Sequence, residues 1–253
     1  MADKFYTHTH VAKTCFQLLE PMLVPTDVLI EPSAGNGSFI PFIEKFSHVC
    51  IDIAPDDPRI LQADFLTFDG PPNAVVLGNP PFGKQGSLAK KFVKKACSFA
   101  RLVAFILPKS FKKESMTSCF DRHFHCVTQI DLPKNSFFIP DGPLVYDVPC
   151  VFQIWEKRSE LREVYSLVEP SWITFVRKSE PHTCSFRRVG VYAGEVDTVT
   201  ENKSESSHYF IRFDGDYIDA LRSIKWSHDN TVGPRSIGKK EIIVELLRVI
   251  NGD

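Results

Sequence analysis

Asn79-Pro80-Pro81-Phe82 is the segment whose residue types most directly suggest chemistry. An aromatic amine is a poor nucleophile because its lone pair delocalises into the ring. Two acceptors, the Asn79 side-chain oxygen and the Pro80 carbonyl, could take both N–H bonds of such an amine. They would favour a pyramidal nitrogen and stabilise the positive charge that develops on it. Two prolines stiffen the loop by fixing φ and removing amide donors. Phe82 offers a face for a base drawn out of its helix. A proline turn capping a strand would account for Pro80 and Pro81, but it would specify neither Asn79 nor Phe82. Upstream, Gly35 and Gly37 flank Asn36 and permit a tight backbone turn close to a ligand. Asp52 lies about 20 residues beyond them, placed to accept hydrogen bonds from ribose hydroxyls.

The elements that must position these groups alternate in type. Val11, Cys15, Leu18, Leu19, Met22 and Leu23 have helical spacing, stopped by Pro25. Val28-Leu29-Ile30 reads as a buried strand running into the glycine loop, and Phe39, Ile43 and Phe46 continue at helical spacing. Residues 48–52, 74–77, 103–107, 127–132 and 150–155 read as further strands. Leu88, Phe92, Val93, Ala96 and Phe99 mark one intervening helix, and Met116, Phe120 and Phe124 another. Apolar strands alternating with helices predict an α/β fold with a mostly parallel sheet covered on both faces. The last two strands have no helix between them and predict an antiparallel, hairpin-like ending. Glycine loop, strand-end acid and Asn-Pro-Pro-Phe all fall at strand ends, where ligands bind in open α/β sheets.

Beyond about residue 158 the texture changes to short strands (172–176, 186–192 and 209–213), polar loops and a terminal helix over 241–250. The expected organisation is a catalytic domain, 1–158, and a mixed α/β extension, 159–253, that could recognise substrate. The 253 residues are 43% hydrophobic and 24% charged, which excludes a wholly disordered chain. With 30 basic and 31 acidic side chains the net charge is −1, so affinity for a polyanion must come from local patches. The stretch from Phe82 to Lys113 is such a patch, with nine basic residues and no acidic one. Lys84 and Lys109, just past strand ends, are the candidates for phosphate contact. Lys90, Lys91, Lys94 and Lys95 read equally as a solvated helix face. Arg187 and Arg188, near Tyr192, could meet a backbone and a base. No apolar run approaches the roughly 20 residues of a membrane span, and Met1–Phe5 lacks the apolar stretch of a signal peptide. Seven scattered cysteines, none in a CxxC pair, suggest reduced thiols in an intracellular compartment, cytoplasmic or nuclear. The histidines of Thr7-His8-Thr9-His10 and His123-Phe124-His125 lack a matching carboxylate or cysteine cluster, so no metal site is expected.

Glu31-Pro32-Ser33-Ala34-Gly35-Asn36-Gly37-Ser38-Phe39 resembles the first motif of S-adenosylmethionine-dependent methyltransferases. Asn79-Pro80-Pro81-Phe82 resembles the catalytic motif of those that methylate exocyclic amines, chiefly N6 of adenine. Phe5-Tyr6-Thr7, followed by Val11-Ala12, is similar to the N-terminal motif of the gamma-class DNA adenine methyltransferases, although His8 stands where that class usually has proline. The loop from Asn135 to Pro149, with Phe137-Phe138, is similar to viral and eukaryotic adenosine methyltransferases acting on RNA ends. The resemblance covers residues 5–157 and implies a Rossmann-like methyltransferase sheet. It implies S-adenosylmethionine as cofactor, with Gly35, Asn36 and Gly37 lining its methionine part beside Glu31 and Ser33. Thr7 would contact its carboxylate, Asp52 with neighbouring Ile53 its ribose, and Asp64-Phe65 its adenine ring, while Asn79 would face both cofactor and target. The implied partner is nucleic acid, DNA or RNA, with a partner subunit left open. Motifs of this type also serve N2 of guanine in ribosomal RNA, N4 of cytosine and glutamine of release factors. A catalytically silent, RNA-binding methyltransferase-like subunit is the alternative from outside the enzymes.

Overall fold

Runs of buried Val, Leu and Ile set the order of the central sheet. The computed structural model describes residues 5–139, 148–163, 169–226 and 235–252. By contact density the chain divides into two units, Met1–Glu163 and Val164–Asp253. The first unit runs β1 (Tyr6–Thr7), α1 (Thr9–Leu19), β2 (Val28–Glu31), α2 (Ile40–Ile43), β3 (Ser47–Asp52), β4 (Leu61–Gln62) and β5 (Ala74–Gly78). It continues with α3 (Ser87–Cys97), β6 (Ala100–Pro108), α4 (Glu114–Thr117), β7 (Phe124–Asp131), β8 (Phe137–Phe138) and β9 (Cys150–Lys157).

Seven of these strands form one sheet in the order β4-β3-β2-β5-β6-β9-β7. Strands β4 through β6 are mutually parallel, and β9 runs antiparallel to both β6 and β7. A mostly parallel sheet closed by an antiparallel pair is thus what the strand pattern anticipates. Every residue of β5 is buried, and its side chains alternate between two cores. Val75 and Leu77 pack with Val11, Cys15 and Leu19 of α1 on one face. Val76 packs with Phe92, Val93 and Ala96 of α3 on the other. Each such side chain contributes about 1.5–3 kcal/mol on leaving water, which makes β5 and its neighbours a rigid support. Connections from β2 lead outward through β3 and β4, whereas those from β5 lead the other way through β6. The strand order therefore reverses between β2 and β5, and a crevice opens beyond their carboxyl ends.

The helix expected through Met116, Phe120 and Phe124 forms only around Met116. α4 stops at Thr117 and Phe124 already begins β7. Their burial has a tertiary cause: the Phe120 ring stacks on Trp155 of β9 at 4.0 Å, so no single helical face is needed. Of the loop 135–149, residues 140–147 lie outside the described residues.

The second unit has β10 (Ile173–Val176), β11 (Cys184–Arg187), β12 (Val196–Asp197), β13 (His208–Phe213), α5 (Ile218–Ser223) and α6 (Lys239–Asn251). Its strands form an antiparallel sheet in the order β10-β13-β11-β12. Phe186, Ile211, Leu221, Ile242 and Leu246 share its core. The strand expected over 186–192 ends at Arg187, because the chain turns at Gly190 with φ +96°. No helix among the described residues is long and apolar enough to cross a membrane.

Candidate active site

A cavity of about 900 Å3 opens where the strand order reverses, walled by the loops after β2, β3, β4 and β5 and by β1 and β8. Its floor begins at Glu31, the last residue of β2, and continues through the glycine loop. Gly35 has φ +54° and Gly37 φ +77°, a left-handed backbone that side chains with a Cβ adopt at a cost. At Gly35 a Cβ would lie 2.7 Å from Cε1 of Tyr6. Close approach is therefore needed, but toward the Tyr6 ring. Gly37 serves the turn itself: its N–H donates to the Ala34 carbonyl at 2.7 Å, and it is not on the cavity wall. Asn36, Ser33 and Ser38 are on it.

Asp52 ends β3 and fastens the glycine loop. Its Oδ2 accepts the Gly35 N–H at 2.8 Å and its Oδ1 the Ala54 N–H at 2.9 Å. A carboxylate has about four acceptor positions, so both oxygens can still receive a ligand hydroxyl. Ile53 follows with its side chain 72% exposed at the cavity rim. Asp64 is exposed and accepts the Leu66 N–H at 2.9 Å. Phe65, buried against Phe92 at 5.3 Å between ring centres, lines the wall beneath it.

Beyond β5, Gly78 and Asn79 lead into the two prolines. The Ser33 hydroxyl donates to the Asn79 carbonyl at 2.9 Å, tying the glycine loop to the Asn-Pro-Pro-Phe loop. The Phe82 carbonyl accepts the N–H groups of Leu88 and Ala89 at 3.1 and 3.2 Å, which anchors the loop to the start of α3. The Asn79 amide nitrogen donates to Thr7 Oγ1 at 3.2 Å and faces the Phe5 carbonyl at 3.5 Å. Its Oδ1 is buried with no hydrogen-bond partner among the described residues.

The cavity wall is acidic. Glu31, Asp52 and Asp64 line it, and no Lys, Arg or His does among the described residues. Glu31 is 2% exposed. Burial, helped by the charge of Asp52 and opposed by a hydrogen bond from Cys50, pushes its carboxyl well above the usual range. Its Oε2 is also a buried acceptor without a partner among the described residues. No group of three His, Cys, Asp or Glu residues among them is placed to hold a metal ion.

The basic candidates are spread out. Lys84 is exposed one residue beyond Gly83. Lys109 pairs with Asp131 at 3.2 Å, Lys112 pairs with the other oxygen of the same carboxylate, and the two lysines, Lys112 first, hold the Asp131 carboxyl below its ordinary value. Arg187 and Arg188 belong to the second unit. Arg187 lies over the Tyr192 ring at 5.7 Å and Arg188 over Tyr209 at 5.3 Å. Residues to which sequence reasoning gave no place in the site are Leu88, Phe92 and Val148, all on the cavity wall. Their apolar character signals only burial, and their sequence separation from the motifs hides the shared wall.

No protein-family model matches the chain, and no curated protein sequence does. Solved structures do. A proposed RNA methyltransferase from Pyrococcus horikoshii superposes with a TM-score of 0.50 at 16% identity, over 62% of this chain and 88% of that one. The fold shared with it is a Rossmann-like α/β sheet. An rRNA methylase from Streptococcus thermophilus matches with a TM-score of 0.41 at 13% identity, over 58% of this chain and 95% of that one. The M protein of the type I restriction enzyme EcoKI matches with a TM-score of 0.45 at 17% identity, over 60% of this chain and 44% of that one. In this chain's version of that fold, the sheet reversal, the glycine loop and Asn79 meet in one cavity.

Proposed function

We propose that the chain transfers a methyl group from S-adenosylmethionine to an exocyclic amine of a nucleic-acid base, with N6 of adenine as the target. The buried Oδ1 of Asn79 carries this reading. Its nitrogen side is held by Thr7 and faces Phe5, so its oxygen is the end left to accept from a ligand. Leaving a buried acceptor unmet costs about 1–3 kcal/mol, a cost that an amine hydrogen would remove. With the Pro80 carbonyl it would take the N–H bonds of the target and meet the charge that develops on nitrogen.

The cavity fits the cofactor on three grounds. S-adenosylmethionine supplies an electrophilic methyl on a cationic sulfonium, and the wall carries carboxyl groups and, among the described residues, no cation. A phosphate-bearing dinucleotide would find no basic side chain there among the described residues. Glu31 Oε2 offers an unused acceptor for an ammonium hydrogen, Asp52 keeps acceptor positions for ribose hydroxyls, and Ile53 and Phe65 offer apolar surface to an adenine ring. About 900 Å3 is at the upper end of ligand pockets, roughly 300–1,000 Å3, which leaves room for a base beside the cofactor. Phe82, partly exposed on the same wall, would stack on that base. Lys84 would meet the backbone outside the cavity, and the second unit, with Arg187 and Arg188, would supply further recognition.

Mass spectrometry of nucleosides after incubating DNA and RNA pools with methyl-labelled S-adenosylmethionine tests the reading. Label on N6-methyladenine is the expected result. Label on another amine would redirect the target, and no label on any nucleoside would refute the proposal.

A further inference from the structure

We infer that Thr7 is a positioning residue for Asn79: together with the Phe5 carbonyl, its hydroxyl holds the nitrogen end of the Asn79 amide and so leaves the oxygen end toward the methyl-accepting amine. The inference deepens the methyl-transfer reading and rests on it. An asparagine amide can turn its oxygen and nitrogen end for end with little change in shape, so its orientation is set by its partners. Here two partners act on one side. The Phe5 carbonyl can only accept, so the nitrogen must face it, and Thr7 Oγ1 accepts from the same nitrogen at the shorter distance, 3.2 against 3.5 Å. The oxygen is thereby turned the other way, where it is buried and unpartnered among the described residues. A flipped amide would present N–H groups to a substrate that also brings N–H groups, and the site could not polarise it.

Thr7 is itself held firmly. It is 4% exposed. Its backbone pairs with Phe137 in the β1–β8 ladder, and its carbonyl accepts the Ser38 hydroxyl at 2.6 Å. The Tyr6 hydroxyl bonds to Asp56, and the His8 N–H donates to the Ser136 carbonyl at 3.1 Å. A residue 72 positions before Asn79 is thus held in place by the β1–β8 pairing and by the Ser38 hydroxyl of the glycine loop. Because Thr7 Oγ1 accepts from Asn79, its own hydrogen remains available to a ligand. Contact with the cofactor and control of Asn79 are therefore compatible, and the experiment must separate them.

A double-mutant cycle does so. Thr7→Val keeps the shape and removes the hydroxyl; Thr7→Ser keeps the hydroxyl. Turnover, KM for nucleic acid, and S-adenosylmethionine affinity by calorimetry are measured for wild type, Thr7→Val, Thr7→Ser, Asn79→Ala and Thr7→Val/Asn79→Ala, with thermal unfolding to confirm folding. A misplaced reacting group costs about 10²-fold at its worst, so Thr7→Val should lower turnover about 10- to 100-fold. Affinity and KM should stay within about three-fold, the split expected of an interaction that matters only in the transition state. Thr7→Ser should restore most of the turnover. In the Asn79→Ala background Thr7→Val should change turnover by less than about two-fold, because residues acting as one unit are not additive. A full loss from Thr7→Val in that background, or a loss confined to cofactor affinity, would overturn the inference and leave Thr7 as a cofactor ligand only. Should wild type transfer no methyl group, the proposed function would fall. The unfolding cycle would then still report whether Thr7 and Asn79 are coupled, with additive stabilities counting against the pairing.

Discussion

Gly35→Ala probes whether the glycine loop is shaped by the ligand or by the Tyr6 ring. Two costs can be separated. The left-handed backbone at φ +54° disfavours a residue with a Cβ by roughly 1–2 kcal/mol. The new methyl would also lie 2.7 Å from Tyr6 Cε1, so the ring must shift, and overpacking of this kind costs about 1–3 kcal/mol. Together they predict a loss of about 2–5 kcal/mol, or on the order of 5–15 °C in unfolding temperature for a chain of this size. Tyr6 cannot move alone, since its hydroxyl bonds to Asp56 and its chain neighbour Thr7 holds Asn79. Urea denaturation of wild type, Gly35→Ala, Tyr6→Ala and the double variant provides the assay. With the ring removed, Gly35→Ala should cost only the backbone part, about 1–2 kcal/mol. The same penalty with and without the ring would refute the steric argument, and no penalty in either background would refute the need for glycine.

Three further outcomes are expected. Asp52→Ala should weaken S-adenosylmethionine binding by about 1.5–3 kcal/mol, the range for hydrogen bonds to a charged group; calorimetry on the folded variant checks this, and unchanged affinity would remove Asp52 from the site. Burial raises the Glu31 carboxyl above its ordinary 4.5 in the folded protein, so the unfolded chain loses the proton first and the contribution of Glu31 to stability declines as pH rises above that value. Glu31→Gln lacks this dependence, and in chemical denaturation its stability relative to wild type should rise between pH 5 and pH 8; a constant difference would show that Glu31 titrates normally. Lys84→Ala should shallow the salt dependence of nucleic-acid binding by about one unit, whereas Lys109→Ala should shallow it less because Lys109 is already paired with Asp131; titrations at several salt concentrations would reverse that ranking if the pairing opens on binding.

The parallel sheet was legible because its strands are buried on both faces and so are written as unbroken apolar runs, as in Val75-Val76-Leu77. The chemistry-bearing loops were legible because each follows such a run directly. What could not be read depended on residues distant in sequence. Phe120 and Phe124 have helical spacing, yet one is held by Trp155 and the other opens a strand. Gly35 is a turn glycine on any reading, but that its neighbour is Tyr6, brought there by the β1–β8 pairing, leaves no local trace. Lys109 reads as an available cation until Asp131, at the end of a different strand, is seen beside it. The acidic cavity emerges only when the ends of β2 and β3 and the loop after β4 are brought together.

The central claim is that Asn79 acts on the acceptor amine and not on the cofactor. The direct measurement compares wild type with Asn79→Ala in transfer of a labelled methyl group to adenine, alongside calorimetric affinity for S-adenosylmethionine. Loss of an oriented acceptor at developing charge predicts a fall in turnover of about 10²–10³-fold, with cofactor affinity held within a few-fold. Near-normal methylation by the folded variant would contradict the account and reduce Asn79-Pro80-Pro81-Phe82 to a structural turn.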